Sequence, residues 1–191
     1  MSNARYPGRI KLLFILLVIA VPVVAAYVAF YLWRPQQGTM NYGELLPPRH
    51  LPDAALQLLD GRAFRMSDLR GKWVLLQVDS GACDQNCRQK LYYLRQVRLT
   101  QGKDMQRIER VWIINDNGTP PQELMKDYAG TWLIRDANNL LLAELPAVNS
   151  VNDHIYVVDP KGNLMLRFPR NADPRKMVKD IARLLMVSEI G

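Results

Sequence analysis

From Leu12 to Trp33 the sequence runs 22 residues without a charge, and nothing else in it limits the possible folds so strongly. At about 1.5 Å per helical residue, such a run spans the roughly 30 Å hydrocarbon core of a bilayer. Arg5, Arg9 and Lys11 precede it with no acid, and after it Arg34 stands alone until Glu44. The positive-inside bias therefore predicts a cytoplasmic segment 1–11, a transmembrane helix 12–33 and an exported remainder. Val24-Ala25-Ala26 has the small residues of a cleavage site. Apolar character nevertheless continues to Trp33, past the ~7–15 residues of a secretory signal's apolar region. The reading is an uncleaved signal anchor, with Tyr31 and Trp33 as an interfacial aromatic belt. No long Arg- and Ser-rich amphipathic stretch precedes the anchor, so the expected location is a bacterial inner membrane, with the C-terminal domain in the periplasm.

The formal net charge of +7 would suit nucleic acid, but its distribution does not. Four basic residues and no acid lie in the first 34 positions, leaving 21 basic against 18 acidic over the other 157. That balance is an ordinary solvated surface, and the exported address removes nucleic acid as a partner. The lipid bilayer is the partner implied by the first helix.

Residues 34–52, with Pro35, Pro47, Pro48 and Pro52, read as an extended tether. Residues 53–191 read as one folded domain. Ala54 to Leu59 ends in the turn Asp60-Gly61, with Phe64-Arg65-Met66 as a returning strand. Trp73 to Val78 is a nearly continuous apolar run, as in a strand buried on both faces. Cys87, Leu91, Leu94, Val97 and Leu99 give the period of a helix over about 84–101, stopped by Gly102. Arg110 to Ile114 is a second buried strand, Pro120-Pro121 opens a helix over 122–128, and Trp132 to Ile134 reads as an edge strand. His154 to Val158 and Asn163 to Phe168 flank Asp159-Pro160-Lys161-Gly162 as an antiparallel hairpin. Asp173-Pro174 caps a last helix whose apolar face is Met177, Val178, Ile181, Leu184, Leu185 and Val187. Strands separated by helices demand parallel crossovers, and the hairpin adds antiparallel pairing. The fold class is therefore an α/β sandwich with a mixed sheet, preceded by one transmembrane helix.

The chain has two cysteines, Cys83 and Cys87, placed where a strand hands over to a helix. On a helix's first turn, free backbone amides and the positive dipole end favour thiolate. Such a pair can cycle as a disulfide or hold a soft metal such as Cu(I); a static disulfide is the structural alternative. Asp79 and Asp84 flank the pair, either as proton relays or as charges that raise the thiol pKa, and Asp84 reads first as a helix N-cap or first-turn carboxylate. Arg88 would favour thiolate if it folded back, and Trp73, Trp112 and Trp132 read as core.

Gly71-Lys72-Trp73-Val74-Leu75-Leu76 followed by Gly81-Ala82-Cys83-Asp84-Gln85-Asn86-Cys87 resembles the GKxVLL and CxxxC segment of the Sco/SenC family. Asp159-Pro160-Lys161-Gly162 resembles that family's DPxG hairpin, and the order of elements is similar over roughly residues 50 to 190. The resemblance implies a thioredoxin-like fold, membrane anchoring, copper, and a role in cytochrome c oxidase assembly. It also implies a metal set of Cys83, Cys87 and a histidine. The sequence departs from the pattern with Asp84 and Arg88 where prolines are common after the two cysteines. The family's histidine position falls on Val151, three residues before His154. His154 is thus either a third copper ligand or a strand-start residue hydrogen-bonded near Asp153, and His50 in the tether is not a ligand.

The expected function is a Sco-like assembly factor for a respiratory cytochrome oxidase, handling copper or keeping metal-site cysteines reduced. Its partners would be an oxidase subunit or other assembly factors. The alternatives are a general extracytoplasmic thiol-disulfide oxidoreductase, against which the CxxxC spacing speaks, and a non-catalytic interaction module with a static disulfide.

Overall fold

The computed structural model describes residues 7–32 and 41–188, which fall in two units divided after Met40. The first unit is helix α1 (Pro7–Leu32). Its window Gly8–Tyr31 is long and apolar enough to cross a membrane, and no part of it is buried against protein. That is the surface a bilayer would cover. Trp33, expected in the aromatic belt, lies outside the described residues.

The second unit is built on an eight-stranded mixed sheet. Its strands are β1 (Glu44–His50), β2 (Leu56–Leu58), β3 (Ala63–Phe64), β4 (Trp73–Asp79), β5 (Ile108–Ile114), β6 (Thr131–Arg135), β7 (Ile155–Val158) and β8 (Asn163–Phe168), in the order β1-β8-β7-β4-β5-β6-β2-β3. All seven residues of β4 are buried. It pairs in parallel with β5 and antiparallel with β7, so the apolar run that marked it in the sequence is the centre of the sheet. Helices α2 (Gln85–Leu99), α3 (Gln122–Asp127) and α4 (Pro174–Val187) complete the α/β sandwich.

Side-chain alternation along the strands divides the core. Trp73, Leu75, Ile155 and Val157 pack with Leu94 and Val97 of α2 and with Met177, Ile181 and Leu185 of α4. Val74, Leu76, Val78, Tyr156 and Val158 face the other way, against Leu51, Ala54, Met66, Leu69, Leu141 and Leu145. That second face is covered by irregular chain and 3₁₀ turns rather than by long helices.

Three details differ from the pattern read in the sequence. Glu44–His50, within the stretch expected as tether, is the edge strand β1, paired with β8. The register shifts between Leu45 and Arg49, around Pro47 and Pro48, as proline tolerates only at an edge or a bulge. The Glu44 carboxylate accepts from Arg167 at 3.1 Å and the Gly43 amide donates to Asp180 at 2.8 Å, which ties this strand down. β6 is interior, because Leu58 of β2 pairs with its Ile134 and the β2–β3 hairpin forms the edge. Val187 is 84% exposed, at the end of α4 beyond the buried stripe. The Asp173 side chain does cap α4, accepting from the Arg175 amide at 2.9 Å.

Leu94 is fully buried between α2 and the sheet. Leu94→Ala is expected to cost about 2–5 kcal/mol, from lost transfer energy plus the cavity, read as a lower urea midpoint for the full chain in detergent micelles.

Candidate functional site

β4 ends at Asp79, and residues 80–84 carry the chain to the start of α2. A Cβ on Gly81 would overlap the Gly118 backbone, so glycine is required where these two loops meet. The Asp116 carboxylate holds the contact by accepting from the Gly81 amide at 2.8 Å and the Gly118 amide at 2.9 Å. Two residues on, Cys83 has φ +48°. A side chain in the left-handed region is costly, and such residues concentrate at functional sites. Asp84 is the N-cap of α2, its carboxylate accepting from the Cys87 amide at 2.8 Å. The capped turn brings the two Cα atoms to 5.1 Å, and Cys83 and Cys87 are joined as a disulfide. Arg88 does fold back, donating from Nε to the Cys83 carbonyl at 3.3 Å.

The disulfide packs with Leu91, Trp112, Ile114 and Leu124. Cys83 is 2% exposed and Cys87 1%, whereas Ala82 and Asp84 beside them are exposed. The pair therefore lies just under a surface turn.

Behind Cys87 is a set of buried polar groups. The Asp79 carboxylate and the Lys90 ammonium form an ion pair at 2.7 Å, with side chains 6% and 7% exposed. Lys90 Nζ also donates to the carbonyls of Val78 and Asn152. Gln77 Nε2 lies 3.1 Å from Asp79 Oδ2 and 3.7 Å from Cys87 Sγ, which links the pair to the sulfur. Burial pushes the Asp79 carboxyl up to about 6, overcoming the pull of Lys90. Burial also lowers the Lys90 ammonium, with Asp79 opposing it. Both shifts have the same dominant cause, so desolvation outweighs mutual attraction in this pair.

His154 lies just before β7, with Nδ1 3.0 Å from the Phe168 carbonyl and Nε2 buried without a partner. That contact makes Nδ1 the donor and leaves Nε2 with a free lone pair. Its ring stands edge-on to Tyr156, which packs on the sheet face away from α2. His50 Nδ1 is 3.3 Å from Asn163 Oδ1, beside the β7–β8 hairpin. Among the described residues, no three His, Cys, Asp or Glu side chains are gathered to hold a metal ion.

Sequence reasoning marked Asp79 but missed Lys90 and Gln77. Lys90 stands three residues after Cys87 and four before Leu94, on the buried stripe of α2, where a lysine implies a buried counter-charge. Gln77 is the single amide in the apolar run of β4.

The sequence pattern of the family described as "transmembrane-like, thioredoxin-like, C-terminal domain" matches residues 73–188. Among curated proteins none matches. Similar solved structures include yeast Sco1 with copper bound, at 18% identity and a TM-score of 0.59, covering 74% of this chain and 92% of that one. The thioredoxin domain of a thiol-disulfide oxidoreductase from Bacteroides vulgatus is similar at 18% identity and a TM-score of 0.54, covering 74% and 99%. A SCO1/SenC family lipoprotein from Bacillus anthracis is similar at 15% identity and 0.54, again covering 74% and 99%. At these identities the likeness is one of fold, and the fold is thioredoxin-like, as the resemblance to Sco/SenC implied.

The raised Asp79 carboxyl has a consequence for stability. Unfolded, the group titrates near 3.8; folded, near 6. The folded chain therefore keeps a proton that the unfolded chain releases, and this contribution is complete below about pH 4 and lost as pH rises through 6. Relative to Asp79→Asn, the natural chain is expected to lose on the order of 2–3 kcal/mol between about pH 4 and 7, measured as the difference between their urea-unfolding free energies across that range.

Proposed function

This chain belongs to the transmembrane-like, thioredoxin-like C-terminal domain family, and from that premise we propose that it is a Sco-like, membrane-anchored assembly factor for a respiratory cytochrome oxidase that keeps a client's metal-site cysteines reduced. The observation that carries the reading is the Cys83–Cys87 pair, which joins the residue before the N-cap of α2 to its first turn, with the buried Asp79–Lys90 pair behind it. The positive-inside bias of Arg5, Arg9 and Lys11 orients the anchor so that this pair faces the periplasm. There a client's metal-site thiols are exposed to oxidation and need a reductant.

In the reaction, the reduced Cys83 thiolate attacks one sulfur of a client disulfide. A mixed disulfide forms, the client S–S bond breaks, and one client thiolate leaves and takes a proton. Cys87 then gives up its proton and attacks Cys83 Sγ, which forms the Cys83–Cys87 bond and releases the second client thiolate. The N-terminus of α2, whose cap follows Cys83 directly, would favour the thiolate, and Arg88 holds the Cys83 backbone there by donating to its carbonyl. Asp79, whose carboxyl burial raises to about 6, is linked to the Cys87 sulfur through Gln77 and would serve as base for the second step by way of a bridging water. The exposed Ala82 and Asp84 over a buried disulfide restrict exchange to clients that displace this turn. That restriction, together with the CxxxC spacing, favours a dedicated client over a general oxidoreductase.

A second reading, copper handling, has one observation of its own. His154 Nε2 is a buried nitrogen with no partner among the described residues, and together with two thiolates it would make a donor set suited to Cu(I). The three donors are not gathered in this structure, so no step is drawn through the metal. Titration of the reduced chain with Cu(I), beside Cys83→Ser, Cys87→Ser and His154→Ala, tests it. Stoichiometric binding abolished by either serine and weakened by the alanine supports this reading, and absence of binding removes it.

For the reductant reading, the full chain in micelles is reduced and mixed with an oxidised peptide carrying two cysteines. One peptide disulfide is expected to be reduced per chain, and Cys87→Ser is expected to accumulate the mixed disulfide. The rate is expected to rise through about pH 6 as Asp79 ionises, and Asp79→Asn to remove that inflection. A pair that thiols cannot open would leave only a scaffold with a static disulfide.

A further inference from the structure

Gln77 is fully buried in the middle of β4. A carboxamide there carries a desolvation cost unless each polar atom finds a partner. Its nitrogen faces two acceptors, Asp79 Oδ2 at 3.1 Å and Cys87 Sγ at 3.7 Å. Reversing the amide would set its oxygen against the Asp79 carboxylate, acceptor to acceptor, so the orientation is dictated by its neighbours. The oxygen, Oε1, is buried with no donor among the described residues.

The donors nearby are already engaged. Lys90 Nζ has three protons and three acceptors: Asp79 and the carbonyls of Val78 and Asn152. Trp112 Nε1 donates to the Asp79 carbonyl at 3.3 Å. Opening of the Cys83–Cys87 bond by an external dithiol supplies the missing proton. The S–S bond breaks, each sulfur gains a proton, and the reductant leaves as its own disulfide. Released from Cys83, the Cys87 sulfur is free to turn about its Cα–Cβ bond, starting 3.7 Å from the nitrogen of the same carboxamide.

We propose that Gln77 is a redox-linked positioning residue, whose side-chain carbonyl lacks a donor while Cys83 and Cys87 are joined and accepts the Cys87 S–H once they are reduced, biasing the pair toward the dithiol. The inference rests on the redox reading above. It adds that the strand beneath the pair, and not only the helix dipole, sets the redox poise. The weak N–H···S contact at 3.7 Å opposes this bias. It is outweighed, because a stretched contact to a neutral sulfur is worth less than a satisfied buried carbonyl.

The test equilibrates the full chain in micelles with mixtures of reduced and oxidised dithiothreitol, comparing the natural protein with Gln77→Met, which keeps the length but has no amide. The equilibrium of the methionine variant is expected to move toward the disulfide by roughly tenfold. As a second readout, the Raman S–H stretch of Cys87 in a Cys83→Ser background is expected at lower frequency with Gln77 than with methionine, because the bonded thiol is softened. An unchanged equilibrium, or one moved toward the dithiol, with an unchanged S–H band overturns the inference. If the natural pair still exchanges with the client peptide, the proposed function survives that result. If dithiothreitol cannot open the natural pair, both readings fall.

Discussion

The buried contact between Asp79 and Lys90 joins the end of the central strand to the first turns of α2, and the site is arranged around it. An ion pair that is nearly dry is expensive to assemble, and replacing it with apolar side chains would often stabilise a fold. Here it sits one amide away from a disulfide sulfur, through Gln77. Its cost is intelligible as chemistry, since burial lifts a carboxylate into the range where it can exchange a proton near neutral pH.

Around that pair the loops are fixed by small, specific devices. Gly81 meets Gly118 at a separation no side chain allows, Asp116 binds both amides, and Asp84 caps the helix. Cys83 is then held in a backbone region that few residues other than glycine occupy. Strain at one residue, enforced by its neighbours, places the Cys83 sulfur just before the helix start. The rest of the domain supplies rigidity, with β4 buried along its length and apolar clusters on both sheet faces.

Much of this was legible in the residues. The nearly continuous apolar run of β4, the stripe of α2 and the Asp159–Gly162 turn each announced an element through its own local pattern. What was not legible depends on contacts between distant segments. Glu44–His50 has two prolines and no alternation, and it becomes a strand because β8 offers an edge and Arg167 a charge for Glu44. Trp132 to Ile134 read as an edge because the short β2 beyond it is only three residues long. Lys90 was not singled out in the sequence, and its burial goes with Asp79, a partner eleven positions away on another element. His154 was visible as a candidate donor, but its contact with the Phe168 carbonyl could not be foreseen from spacing to the hairpin.

The proposed function requires Cys83 and Cys87 to be a working redox couple and not a structural staple. The most direct measurement is the standard reduction potential of the pair in the full-length, micelle-bound protein. A working couple is expected above about −300 mV, within reach of cellular dithiols. A value below about −300 mV, where structural disulfides of exported proteins lie, would contradict it.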